Sequence, residues 1–180
     1  MKKTITEHAF LMEDIKQLAK RNDCTDWKGK NFGIAAIDRT QMTIAAIFEY
    51  MIGNTDWSVL ADHNIKVIRA KKDSIARPYA IPYDFDSAGL VNTNYAVPDA
   101  RLGLENVRQR LYMGLSVSPE ELNKILDVFN KQKVNIYALI NNFSLLTPAT
   151  KKDMTGYLDS FFLTINNPAD AKQTFVANTR

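Results

Sequence analysis

Gly53-Asn54-Thr55-Asp56-Trp57, and then Tyr79-Ala80-Ile81-Pro82-Tyr83-Asp84-Phe85-Asp86, bracket a short apolar ribbon with acidic residues at both of its ends. Upstream, from Asp38 or Thr40 to about Ile52, apolar residues recur at helical spacing. Ile44, Ile47, Phe48, Met51 and Ile52 form a buried stripe, and Gly53 is its natural stop. Downstream, Ile65-Lys66-Val67-Ile68 and Tyr79-Ala80-Ile81 read as the two strands of a hairpin, joined by Lys71-Lys72-Asp73-Ser74. Asp56 and Asn64 therefore lie in a polar loop anchored on a packed helix. Asn64 immediately precedes the first strand and Asp84 follows the second, so a hairpin draws the amide and the carboxylates toward one end.

Working outward, Ala9-Phe10-Leu11-Met12 reads as the close of a strand, and Leu11, Ile15, Leu18 and Ala19 share one helical face. Residues 23 to 33, rich in Asp, Lys, Gly and Asn, read as a loop, as does the long stretch 84 to 103. Beyond it the chain is helical. Ser118-Pro119-Glu120-Glu121 opens one helix with a cap, a first-turn proline and a capping-box glutamate, and Leu122, Ile125, Leu126 and Phe129 face inward. Val134, Tyr137 and Ile140 predict a following helix. Thr147-Pro148 opens another, with Met154, Tyr157, Leu158, Phe161, Phe162 and Ile165 inward, and Asn167-Pro168 starts a last short one. The expected architecture is α+β, mostly α. One domain over 1-180 divides into a leading segment 8-22, a loop-and-hairpin region 40-103 and a helical tail 104-180.

Composition narrows the function classes. A chain of 180 residues with 46% hydrophobic content can bury a core. Its 23 basic and 20 acidic residues leave a net charge of +3, which gives no basis for a nucleic-acid partner. Cys24 is the only cysteine, so neither an internal disulfide framework nor a closed Cys/His zinc site is expected. No apolar stretch reaches bilayer length and no apolar run follows the charged N-terminus, so neither a membrane span nor a signal peptide is expected. The compartment stays open.

Phosphoryl transfer needs a carboxylate to orient a hydroxyl and hard oxygen ligands to hold Mg²⁺ on a nucleotide. Asp56 suits the first role, with Asp62 as its rival; Asn64, Asp84 and Asp86 suit the second. Paired carboxylates after an apolar strand repel one another unless a cation sits between them. His63 reads as a packed or solvated histidine. Lys66, Arg69, Lys71, Lys72 and Arg77 read as a solvated surface, with reception of an acidic substrate as the sharper alternative, and Arg101, Arg108 and Arg110 as structural pairing groups, with phosphate binding as the alternative. Asp84-Phe85-Asp86-Ser87 is also similar to motifs of haloacid-dehalogenase-like phosphatases and of glycosyltransferases. Both need alternating strands and helices downstream, and residues 104 to 176 offer helices only.

The order helix, Asp loop, Asn, hairpin and Asp-Phe-(Gly or Asp) resembles the C-terminal lobe of protein kinases. Pro82-Tyr83-Asp84-Phe85-Asp86 is similar to the Pro-aromatic-Asp-Phe-Asp metal motif of the CotH-like kinase group. The strings Phe48 to Trp57 and Arg108 to Gly114 also resemble an uncharacterised Bacteroidetes family. The resemblance spans residues 8 to 115 and implies a kinase C-lobe-like helical domain with one inserted hairpin. It implies Mg²⁺ and ATP as cofactors, Asp56 as catalytic aspartate, and Asn64 and Asp84 as metal ligands. Asp86 stands at the glycine position of the Asp-Phe-Gly triplet, and Phe10, Leu11, Met12 and Glu13 occupy the hinge that touches adenine.

Two departures qualify these implications. Asn64 follows Asp56 by eight positions, against about five in ordinary kinases. No Gly-x-Gly-x-x-Gly and no lysine-bearing strand precede the hinge. The expectation is a phosphoryl-transfer lobe that needs an upstream N-lobe or a partner chain, with a non-catalytic nucleotide-, metal- or protein-binding remnant of the same fold as the alternative.

Overall fold

A computed structural model describes residues 11–29, 32–73 and 75–177. Among them the chain is α+β and mostly helical, with five α-helices and one three-stranded antiparallel sheet. The order is α1 (Ile15–Arg21), β1 (Cys24–Asp26), α2 (Arg39–Ile52), β2 (Ile65–Ala70), β3 (Tyr79–Pro82), α3 (Pro119–Asn142), α4 (Pro148–Asn166) and α5 (Pro168–Lys172). Single 3₁₀ turns at Ile34–Ala36 and Ala100–Leu102 punctuate the connections, and a π turn at Gln173–Ala177 follows α5.

The helix that carries the site forms for local reasons. Asp38 caps α2 by accepting from the Gln41 N–H at 2.9 Å, and Gly53 ends it in the left-handed conformation at φ 69°. A side chain at Gly53 would carry that φ penalty and would also collide with the Tyr157 hydroxyl. Gly53→Ala is accordingly expected to lose about 1–2 kcal/mol of stability in chemical denaturation.

β2 is the centre of the sheet, pairing with β1 on one side and β3 on the other. Alternation divides its two faces. Ile65 and Val67 enter the main core with α2, whereas Ile68 joins Ala19 and Cys24 in a small cluster under α1. The Gln41 side chain stitches α2 to β3, accepting from the Ala80 N–H at 2.9 Å and donating to the Ala80 carbonyl.

Four expectations require correction. The stretch 23 to 33 is not all loop: Cys24–Asp26 is a strand, with Cys24, Thr25 and Asp26 opposite Ala70, Arg69 and Ile68. Three residues of modest β-propensity carry no local signal; the pairing with β2 makes the strand. The ribbon is therefore three-stranded. Leu11 and Met12 lie in irregular backbone ahead of α1 rather than in a strand, and Ala9 and Phe10 fall outside the described residues. The two helices expected across Leu122 to Ile140 are one continuous α3 of 24 residues. Nothing between Phe129 and Val134 breaks a helix, and Val134 faces solvent at 78% exposure.

Residues 84 to 99 carry no regular element, yet hydrogen bonds fasten them to the end of α2. The Gly89 and Leu90 N–H groups donate to the carbonyls of Gly53 (3.0 Å) and Ile52 (2.8 Å). The Arg110 guanidinium donates to the Met51 carbonyl at 3.2 Å and to the Tyr157 carbonyl at 2.6 Å, and Arg108 bridges the Gly89 carbonyl to Asp153. Carbonyls left orphaned at a helix C-terminus thus receive their donors from the loop. Arg101 pairs with Asp99 at an exposed position.

Candidate functional site

Asp56 lies three residues past Gly53, half exposed, and is held at several atoms. Its N–H donates to Asn54 Oδ1 at 3.0 Å, and its Oδ1 meets His63 Nε2 at 2.8 Å. Asn64 Nδ2 donates to the Asp56 carbonyl at 2.7 Å and to Asp56 Oδ2 at 3.3 Å. The eight-residue spacing is absorbed by a small excursion. Ser58 and His63 exchange backbone hydrogen bonds of 2.9 and 3.0 Å, so residues 59 to 62 loop out and Asn64 returns to Asp56. Asp62 lies exposed on that excursion, which favours Asp56 over its rival as the residue that faces Asn64.

The hairpin then carries Asn64 toward the acidic exit. The Asn64 carbonyl accepts the Tyr83 N–H at 3.0 Å, one residue before Asp84. Phe85 packs edge-on against Phe48 of α2, with ring centroids 5.5 Å apart, and fixes the turn between the two acids to the core. Asp84 is exposed, and its carboxylate makes no hydrogen bond or ion pair among the described residues.

Asp86 differs: its carboxylate accepts the Tyr95 hydroxyl at 3.0 Å and the Ser87 hydroxyl at 3.3 Å. The Asp86 hydrogen bond raises the Tyr95 phenol above its usual range, helped by burial and by the negative charges of Asp86 and Asp84.

Asp62, Asn64 and Asp84 all have left-handed backbone, with φ of 51°, 52° and 59°. Asp23 and Asn92 share it, and Asp and Asn adopt it more readily than other non-glycine residues. A cleft of about 660 Å³ opens beside Asp56, lined by Ser58, His63, Ser87, Arg101 and Met113 among others. The wall is mixed, with Trp57, Val97, Leu102 and Val107 beside the polar groups, and Asn64, Asp84 and Asp86 are not among its lining residues.

The hinge residues fare differently. Phe10 lies outside the described residues. Leu11 is fully exposed, Met12 is exposed at 61%, and Glu13 is paired with Arg21 at 2.9 Å. None of these three bonds to Asp56, Asn64 or Asp84. Among the described residues, no group of three or more His, Cys, Asp or Glu gathers as a metal cage. An amide and carboxylates completed by phosphate oxygens and water would still satisfy Mg²⁺, which is held by few protein ligands. Of the three expected ligands, only Asp84 presents a side chain without a partner among the described residues; Asn64 is bonded to Asp56 and Asp86 to Tyr95.

Sequence reasoning passed over three groups. His63, read as packed or solvated, is exposed but bonded to Asp56. Asn54 is buried at 1% exposure and holds the Asp56 N–H. Glu49 is buried at 1% exposure within α2. A signal for Glu49 was present: it falls on the stripe Met42, Ala45, Ala46, Glu49 and Ile52, where every other residue is apolar and buried. No family model matches the chain, and neither a curated protein nor a solved structure matches it.

Proposed function

We propose that this chain is a kinase-like lobe that binds a magnesium-nucleotide and orients an acceptor hydroxyl at Asp56 for phosphoryl transfer. Phosphate contacts from an upstream lobe or a partner chain would complete the clamp. The observation that carries the reading is the contact of Asn64 with Asp56, beside a hairpin end that leads to the unpaired Asp84 carboxylate. Asn64 and Asp84 would hold the metal, joined by Asp86 on release from Tyr95. Bound Mg²⁺ neutralises charge on the transferring phosphoryl oxygens. Asp56, at the cleft, orients the acceptor hydroxyl and accepts its proton, with the His63 ring steadying the carboxylate.

A non-catalytic nucleotide-, metal- or protein-binding module is the second reading. It is favoured by the existing partners of two of the carboxylates, His63 on Asp56 and Tyr95 on Asp86.

A thermal-shift titration with Mg²⁺ and ATP tests binding. At nucleotide ~100-fold above Kd the native chain should gain about 2.7 kcal/mol, and Asp84→Ala should lose the magnesium-dependent part of that gain. No shift in either protein removes the nucleotide reading. Incubation with labelled ATP, with the upstream lobe or partner chain present, then separates the two readings: phosphate transfer that is lost in Asp84→Ala supports the enzyme, and equal labelling by Asp84→Ala removes it.

A further inference from the structure

The buried polar groups of the loop that carries Asp56 stand in a chain. Glu49 is 1% exposed, and among the described residues neither of its carboxyl oxygens closes a hydrogen bond. Asn54 is equally buried, and its Nδ2 is likewise left without a partner. The Asn54 N–H donates to the Glu49 carbonyl at 2.9 Å, which folds the loop back over the end of α2. Asn54 Oδ1 receives the Asp56 N–H at 3.0 Å, and the same side chain acts on the Glu49 carboxyl. Buried polar atoms left unpaired are rare and costly, so a charged residue kept at such a position asks for a role.

We infer that Glu49 is a positioning residue for Asp56, acting through Asn54, and that its ionisation sets how firmly the Asp56 loop is held. This rests on reading Asp56 as the carboxylate that orients the acceptor. An ionised Glu49 only accepts hydrogen bonds. It draws the Asn54 amide N–H₂ toward itself and leaves Asn54 Oδ1 for the Asp56 N–H. A protonated Glu49 carries an O–H that competes for Oδ1, and the grip on Asp56 slackens.

Burial pushes the Glu49 carboxyl up to about 7, and the Asn54 side chain acts in the opposite direction. Arg110, packed on the end of α2, is turned to the Met51 and Tyr157 carbonyls. His63 bonds to the Asp56 carboxylate. Glu49 is therefore placed to respond across the neutral range.

The test is a pH titration of the native chain followed by amide ¹H–¹⁵N correlation spectra, without nucleotide, so its result is independent of whether nucleotide binds. The Asp56 amide resonance should move with an inflection near pH 7. That inflection should vanish in Glu49→Gln, whose amide still accepts from Asn54 Nδ2, with the resonance held at its high-pH position. In Asn54→Ala the α2 amides around Glu49 should still titrate while Asp56 no longer follows them. An Asp56 inflection that persists unchanged in Glu49→Gln overturns the inference. A flat Asp56 profile in the native chain overturns it as well.

Discussion

Glu49→Gln is expected to raise the melting temperature well above that of the native chain at about pH 8 and to leave it nearly unchanged near pH 4.5. The sign follows from linkage. Glu49 has an ordinary value of 4.5 and is raised by burial to about 7 in the folded protein. Between these values the folded state holds a proton that the unfolded state has released, so stability falls as pH rises through that window and stays low above it. The difference corresponds to about 3 kcal/mol, or ~6–12 °C for a chain of this size. Glutamine is neutral throughout and escapes the penalty. Thermal melts of both proteins across that range measure it directly. Parallel curves for the two proteins would mean that the ionised carboxylate finds a compensating partner.

Phe161→Ala is expected to remove about 3–5 kcal/mol, the range for deleting a large aromatic ring from a close-packed core. Phe161 is fully buried on α4 and meets Tyr50 of α2 at 6.2 Å, Phe129 of α3 at 5.7 Å and Phe162 at 5.2 Å between ring centroids. Such a loss is a large share of the roughly 5–15 kcal/mol that holds a domain together. The urea midpoint should drop with the slope unchanged. Leu163→Ala, two positions on and 73% exposed, should stay within about 0.5 kcal/mol. A small effect at Phe161 would mean that the helical tail does not support α2, and with it the loop that carries Asp56.

The two substitutions probe the same support from opposite sides. Phe161 holds α2 from the tail through Tyr50, and Glu49 sits one residue before Tyr50 on the same helix. The end of α2 gives rise to the Asp56 loop and also receives Gly89 and Leu90 from the acidic segment. One helix terminus thus anchors both halves of the candidate site, and stability there is coupled to the geometry on which binding depends.

The chain's local patterns determined α2, its stop at Gly53, both strands of the hairpin, and the proline-led starts of α3, α4 and α5. In each case the signal is short-range: a cap, a φ preference or a period of apolar residues acts within a few positions. They also marked Asp56, Asn64 and Asp84 as the polar residues at the ends of a hairpin. The tertiary structure alone decided that Cys24–Asp26 is a strand, because its partner lies in β2, more than 40 positions away. It alone decided that the excursion over residues 59 to 62 returns Asn64 to Asp56, that Tyr95 claims Asp86, and that a glutamate on an apolar stripe lies under the loop. Those outcomes depend on which groups are brought together across the fold and shut away from water, and local sequence pattern carries no record of either.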